Sequence, residues 1–491
     1  EAAGALWRAG ALPLWNVWVG GGAPLLANYQ VAAFYPPTWL MIGLPSARTL
    51  GWLIAGHLVL TGAGMFAWAR ARGLSRPAAL LGALTLQGCG YLMARAAIFP
   101  SIVFTFAWIP VWLWRIERLA QQPDRRRAAR LTVVIGLGLL AGHAQTAAYG
   151  LALTGLLLLW RGWSAHKTLR VRLWAWGCIG LMLGAGIAAA QLLPTAAYLM
   201  ASVRSGGLPD EALTYSFWPW RLITFFVPDF FGHPADGNYM GYPTYWEAAG
   251  YVGLAPLLLA LGFLARPARE LRSETRFWGL VGGVALILAV GKFLPGYETA
   301  FRVFPFLRIF NGPVRRMLIT EIALAALAAL ALDHWVDARP HRWQALPLLI
   351  GVVVIVVGRV VIYAMPDLGA SARAVVCTGL LLAVWGVLAL LRGKVKRLVL
   401  LAALIGFAFV DLAVWGQKQV PHTMSDFYRT CASPGLAEAW RQGENPGRIL
   451  FSGTRVSGAE YAVRFSYFRL RDWRVPDGGW TQTCEALLPN L

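Results

Sequence analysis

Charge is what this sequence has least of. Only 14% of its 491 residues are Asp, Glu, Lys or Arg, where a soluble globular domain has roughly 25%. Acids are scarcer still, 23 against 44 basic residues, for a net charge of +21. Five cysteines in so long a chain, none at metal-type spacing, exclude a zinc module and a disulfide scaffold. No Gly-x4-Gly-Lys-Ser/Thr loop, Gly-x-Ser-x-Gly elbow or His-Glu-x2-His helix is present, so ATP-driven transport and serine or zinc hydrolysis lose support.

What fills the space is apolar. Hydrophobic residues make up 58% of the chain, 24 of them Trp, and the mean hydropathy is +0.55. These values exclude a soluble or disordered chain and predict a polytopic membrane domain with a smaller polar tail. Apolar runs fall near 51–69, 78–94, 101–115, 131–142, 146–160, 173–199, 248–265, 277–291, 318–336, 343–363, 373–391 and 398–416. A crossing takes about 20 residues, so about 12 helices are expected in 51–417. The short 131–142 run pairs with 146–160 around Gly142-His143-Ala144-Gln145 as a re-entrant or broken helix.

The basic excess sits in alternate connections. Arg70, Arg72 and Arg76 fill one, Arg125, Arg126, Arg127 and Arg130 the next, followed by Arg161, Lys167, Arg170 and Arg172. Arg266, Arg269, Arg272 and Arg276, then Arg339 and Arg342, then Arg392, Lys394, Lys396 and Arg397 continue the series. Such loops are held at the anionic cytoplasmic leaflet, and this placement argues against nucleic acid as the partner. Residues 1–50, the loops 200–247 and 292–317, and 418–491 then lie outside. Residue 1 is Glu and no signal peptide is visible, so a further helix upstream is expected to carry the start across. The tail 418–491 carries turn signals at Pro434-Gly435 and Gly478-Gly479 and strand-like runs at 448–451 and 461–465. It reads as a small external α/β or β domain that need not be complete, in which Cys431 and Cys484 are free to pair.

Polar residues at membrane depth are costly and mark function. On the outer side they are Asn16, Asn28, Gln30 and Tyr35 with Trp15 in the first loop, and His143 and Gln145 at the hairpin tip. The loop 200–247 offers Asp229, His233, Asp236, Tyr239 and Glu247; the loop 292–317 offers Lys292, Arg302, Arg308, Asn311, Arg315 and Arg316. That last loop has five basic residues against the single acid Glu298, an exception to the inside bias that fits an anionic ligand; snorkelling to headgroups is the competing reading. His143 and Gln145 suit a substrate hydroxyl or phosphate, or equally a helix–helix hydrogen bond. Asp229, His233 and Asp236 have spacings a metal can use, although solvated loop polarity explains them better.

Pro13-Leu14-Trp15-Asn16, Gly21-Gly22-Ala23-Pro24-Leu25-Leu26-Ala27-Asn28-Tyr29-Gln30 and Phe34-Tyr35-Pro36-Pro37 closely resemble the opening external loop of the YfhO family of bacterial membrane proteins. Gly142-His143-Ala144-Gln145, Pro228-Asp229-Phe230-Phe231-Gly232, Tyr251-Val252-Gly253-Leu254 and the segment Leu307 to Arg316 follow in the family's order. Val17, Ala144 and Asn311 depart from it, standing where Pro, Pro and Arg are usual. The resemblance implies an all-α, GT-C-like helix bundle in the bacterial inner or plasma membrane. It implies a glycosyltransferase that takes a sugar from a polyprenyl-phosphate donor and modifies an envelope polymer or lipid outside. An external acid is the expected base; by the family pattern it lies upstream of Glu1, with Asp229 and Glu247 as candidates inside the chain. Trp15, Asn16, Asn28, Gln30, Tyr35, His143, Gln145, His233, Tyr239, Arg302, Arg308 and Arg315 are the expected substrate-binding residues. No protein-held metal is assigned, and a divalent cation, Mg or Mn, stays open as a cofactor. The alternative function is a transporter or flippase of lipid-linked saccharides, which needs a polar path across the bundle.

Overall fold

Long apolar runs with almost no interior acids can satisfy their backbone only as helices in lipid, and helices are what form. A computed structural model describes residues 2–16, 22–44, 46–201, 213–242, 244–304, 310–338, 342–365 and 368–419. The bundle consists of α1 (Ser46–Ala71), α2 (Arg76–Gln87), α3 (Pro100–Phe106), α4 (Trp108–Gln121), α5 (Arg125–Leu140), α6 (Ala144–Trp163) and α7 (Lys167–Ile187). It continues through α8 (Ala189–Ala201), α9 (Leu254–Ala265), α10 (Arg272–Val290), α11 (Met317–Asp337), α12 (Leu346–Ala364), α13 (Gly369–Leu391) and α14 (Arg397–Gln417). Six of these (α1, α10, α11, α12, α13 and α14) are long and apolar enough to cross a membrane. The pair α7 and α8, bent by 73°, makes a seventh if taken as one span. The chain is a mostly helical, multi-pass membrane protein. The remaining expected runs are also helical, but shorter or broken: α2, the α3–α4 pair, α5, α6 and α9.

Local chemistry sets the breaks. Ser75 Oγ accepts from Ala78 N and starts α2, Asp124 Oδ1 accepts from Arg127 N and starts α5, and His143 Nδ1 accepts from Thr146 N and starts α6. Gly142, at φ 98°, makes the turn before His143 that an L side chain resists. α5 and α6 are separate helices broken at Gly142-His143; Arg161 near the far end of α6 pairs with Glu117 of α4 while His143 sits at the opposite end.

At the centre stands α11, with 83% of its membrane-length window buried. Its alanines let neighbours come close: a Cβ on Gly82 of α2 would lie 2.9 Å from Ala329 Cβ, and one on Gly282 of α10 2.7 Å from Ala323 Cβ. Small-residue seams of this kind hold helices together in lipid, where burial of apolar surface supplies little drive.

Polar groups gather in two layers at opposite ends of the bundle. One joins the arginine-rich ends: Arg72 to Glu274 at 2.7 Å, and Arg161 to Glu117 at 2.7 Å and to Glu274 at 2.9 Å. Ser75 N donates to Asp333 at 2.9 Å and Arg397 Nε to Asp337 at 3.0 Å in the same layer. The other layer joins Arg95, Gln145, Glu247 and Arg315, with His143 close enough to feel the charges of Arg315 and Arg95. Every residue assigned inside by the arginine rule that enters these contacts meets another assigned inside, and likewise outside. Residues 2–16 and 22–44 lie on the outer layer. Their only strands, among the described residues, are the pair β1 (Trp15–Asn16) and β2 (Ala23–Pro24), antiparallel with Trp15 opposite Pro24. The α/β or β domain expected in 418–491 falls almost wholly outside the described residues.

Candidate active site

Glu247 is the pivot of the outer layer. It lies in the loop before α9 and is 3% exposed. Its Oε2 accepts from Arg95 Nη2 at 2.9 Å and from Arg315 Nε at 3.2 Å, and its Oε1 accepts from Arg315 Nη2 at 2.7 Å. Arg95 is fully buried. It also donates to the Tyr91 and Glu247 carbonyls at 3.1 and 2.8 Å, and its guanidinium stacks 3.9 Å from the Tyr91 ring centroid. Burial alone raises the Glu247 carboxyl, but the Arg95 charge and the Arg315 fork outweigh it and hold the pKa at about 2. At neutral pH the group rests as a carboxylate between two cations. The two differ in access: the Arg315 side chain is 20% exposed, that of Arg95 not at all.

Arg315 Nη1 reaches a third partner, Gln145 Oε1, at 3.1 Å. Gln145 Nε2 in turn donates to the Asn311 carbonyl at 2.7 Å and to the Tyr149 hydroxyl at 3.1 Å. Asn311, the departure from the family motif, thus serves through its backbone. His143 stands beside them with Nδ1 committed to accepting from the Thr146 backbone N–H at 3.2 Å. Its other nitrogen must then carry the proton, so His143 is a hydrogen-bond donor and not a base. Burial, with the Arg315 and Arg95 charges, lowers its pKa to about 3 and keeps it neutral.

The structure brings together Glu247, Arg315, His143 and Gln145 from the expected residues, and separates the others from them. Tyr35 is wholly buried, its hydroxyl 2.6 Å from His57 Nε2 and accepting from Trp108 Nε1 at 2.8 Å, so it ties the first loop to α1 and α4. Asn28 caps the turn Tyr29–Val31 by accepting from Gln30 N at 3.2 Å; Gln30 itself is exposed. Trp15, half exposed in β1, lies over Gly22 beside Asn16, and a Cβ there would come 2.4 Å from its indole nitrogen. In these contacts the resemblance motifs of the first loop build the loop itself.

A second cluster holds Asp229, His233 and Tyr239. Asp229 accepts from the Tyr245 hydroxyl at 2.9 Å and pairs with Lys418 at 3.3 Å. His233 Nδ1 accepts from Ala235 N at 3.1 Å and its Nε2 lies 3.2 Å from the Gln419 amide, while Tyr239 receives a hydrogen bond from the buried Arg221. Asp229 is thus paired with a half-exposed lysine, apart from the Glu247 cluster. Among the described residues no three of His, Cys, Asp or Glu come together to hold a metal ion. Among the described residues the Asp229, His233 and Asp236 spacing does not become a metal cage.

In the loop 292–317, Arg302 is exposed at the end of the short helix Tyr297–Val303, and Lys292 Nζ donates to the Tyr242 hydroxyl at 2.7 Å. Arg316 is buried and donates to the Tyr297 hydroxyl at 3.0 Å, so it is structural. Arg308 and Glu1 lie outside the described residues, as do Cys431 and Cys484. Sequence reasoning did not single out Arg95. A lone buried cation and a lone buried acid on one membrane side were the available signal.

No protein-family model matches the chain, and no curated protein matches it. Among solved structures it is similar to the crystal structure of ArnT from Cupriavidus metallidurans bound to undecaprenyl phosphate. The identity is 17% and the TM-score 0.47, over 100% of this chain and 83% of that one. A likeness at that score carries no weight for fold or function.

Proposed function

We propose that the protein is a GT-C-type membrane glycosyltransferase, moving a sugar from a polyprenyl-phosphate carrier to an envelope polymer or lipid on the external face of a bacterial inner or plasma membrane. The observation that carries this reading is the buried carboxylate of Glu247, held between one sealed and one reachable arginine in the outer polar layer. Such an arrangement suits a base that is kept silent until its partner is taken away.

At rest, Glu247 at a pKa of about 2 is too weak a base to act. The phosphate of an incoming donor is a better match for the Arg315 fork than a single carboxylate, since guanidinium binds phosphate bidentately. Once Arg315 turns to the phosphate, Glu247 keeps only Arg95 and its basicity rises. The acceptor hydroxyl then attacks the anomeric carbon, its proton passes to Glu247, and the carbon–oxygen bond to phosphate breaks with the electron pair leaving on the phosphate. Arg315 stabilises that charge, and the Nε2–H of His143 is a further donor beside it. No step passes through a metal ion.

The inner polar layer bears on the transporter alternative. Arg72, Glu117, Arg161 and Glu274 join α4, α6 and α10 to the residue that follows α1, and they close that end of the bundle. A saccharide path to the cytoplasm would have to break these four partly buried ion pairs. The test of the enzyme reading is release of polyprenyl phosphate from a polyprenyl-phosphate hexose by the reconstituted protein, with envelope extract as acceptor. Glu247→Gln should lower the rate by roughly 100-fold or more while donor binding persists. Unchanged release by a folded Glu247→Gln protein would refute Glu247 as the base.

A further inference from the structure

α12 and α13 form a hairpin at the edge of the bundle. Only 11% of the α12 window is buried, and its close partner is α13, across a seam of glycines: a Cβ on Gly351 would lie 2.6 Å from the Gly379 carbonyl, and one on Gly386 2.4 Å from Leu348 N. Into this otherwise uncharged, lipid-facing pair the sequence places two arginines, Arg359 and Arg373. Both are exposed, and among the described residues neither has an ion-pair partner or an acid on its own helix. The acid between them in sequence, Asp367, lies outside the described residues.

The two arginines share a height and a face. Gly358 abuts the Ala372 carbonyl and Val376 across the seam, so residues 358 and 372 are level. In antiparallel right-handed helices, one step forward from facing positions turns both side chains to the same side of the pair. Arg359 and Arg373 are those next residues. The Arg373 guanidinium runs back over Gly369 toward the outer end of the hairpin. Arg359 shares its stripe with Tyr363, 90% exposed one turn nearer that end, at the depth where tyrosines meet headgroups. Arg359 and Arg373 lie five and four residues from the outer helix ends, roughly 6–8 Å at 1.5 Å per residue.

We infer that this face binds an anionic glycerophospholipid of the outer leaflet, its headgroup phosphate gripped by Arg359 and Arg373. Two forked donors stand at one height on one face, with no acid among the described residues to answer them, and net negative charge is what complements them. The site is separate from the Glu247 cluster and does not depend on the proposed transfer reaction.

Cys377, exposed one turn below Arg373, gives a local probe. The full chain, with its other accessible thiols changed to serine, carries a bimane on Cys377 in vesicles containing chain-brominated phosphatidylglycerol or chain-brominated phosphatidylcholine at equal mole fraction. Quenching should report roughly tenfold local enrichment of phosphatidylglycerol. Arg359→Gln with Arg373→Gln should bring the two lipids to parity, whereas the double Lys variant, which keeps the charge, should retain most of the preference. Equal quenching by both lipids in the parent protein would overturn the inference. So would an undiminished preference in the double Gln variant, its thermal unfolding matched to the parent.

Discussion

Glu247 and its two arginines make a test of ionic energetics that single residues can answer. Removing Arg95 leaves a wholly buried carboxylate short of one cation, and Arg95→Ala should cost about 3–5 kcal/mol. Arg315 is partly exposed, so water can replace it, and Arg315→Ala should cost less; chemical unfolding followed by tryptophan fluorescence gives the order. Acid should act in two stages. His143 is neutral in the folded protein down to about pH 3 but takes up a proton near pH 6.5 when unfolded, so stability begins to fall below about 6.5. Glu247 titrates at about 2 folded against an ordinary 4.5, so its share, roughly 3 kcal/mol, is present above pH 4.5 and lost between there and pH 2. A melting temperature flat from pH 7 to 4 would contradict the His143 assignment, and one flat from pH 4.5 to 2 that of Glu247. At this scale the sequence was partly legible. Glu247, His143, Gln145 and Arg315 stood out as polar groups in apolar surroundings. Nothing local could reveal that Arg95 reaches Glu247 across 152 positions, or that Tyr35 and Asn28 spend their hydrogen bonds on the loop itself.

The helices were legible because a membrane leaves a long apolar run no other way to satisfy its backbone. Their interruptions were harder to read. The break between 131–142 and 146–160 could be read as re-entrant or as a broken helix, but not that Arg161 beyond it meets Glu117, a contact between different helices. The inner ring of Arg72, Glu117, Arg161 and Glu274 was invisible for the same reason: its arginines looked like loop charges and its acids like incidental ones. That ring gives an element-scale prediction. Glu274→Gln breaks two ion pairs of 2.7 and 2.9 Å and leaves two guanidiniums sharing Glu117, so it should destabilise by about 3 kcal/mol. A cysteine placed at residue 278 should then become more reactive to a thiol reagent applied from the cytoplasmic side. An unchanged melting temperature with unchanged labelling would mean that the ring does not hold these helices.

For the whole molecule, sidedness comes from the arginines and the two polar layers agree with it. A reporter fused after Arg127 should lie in the cytoplasm and one after Asp236 outside; the reverse would move the Glu247 site to the other face. On that frame rests the central claim, that Arg315 leaves Glu247 for the phosphate of a polyprenyl carrier. The direct measurement is binding of polyprenyl phosphate to the purified protein, compared among the parent, Arg315→Ala and Arg276→Ala, the last an exposed arginine of the inner side. A charge-assisted hydrogen bond contributes about 1.5–3 kcal/mol, so Arg315→Ala should raise Kd roughly 10- to 100-fold and Arg276→Ala should leave it unchanged. Equal binding by a folded Arg315→Ala protein would contradict the account.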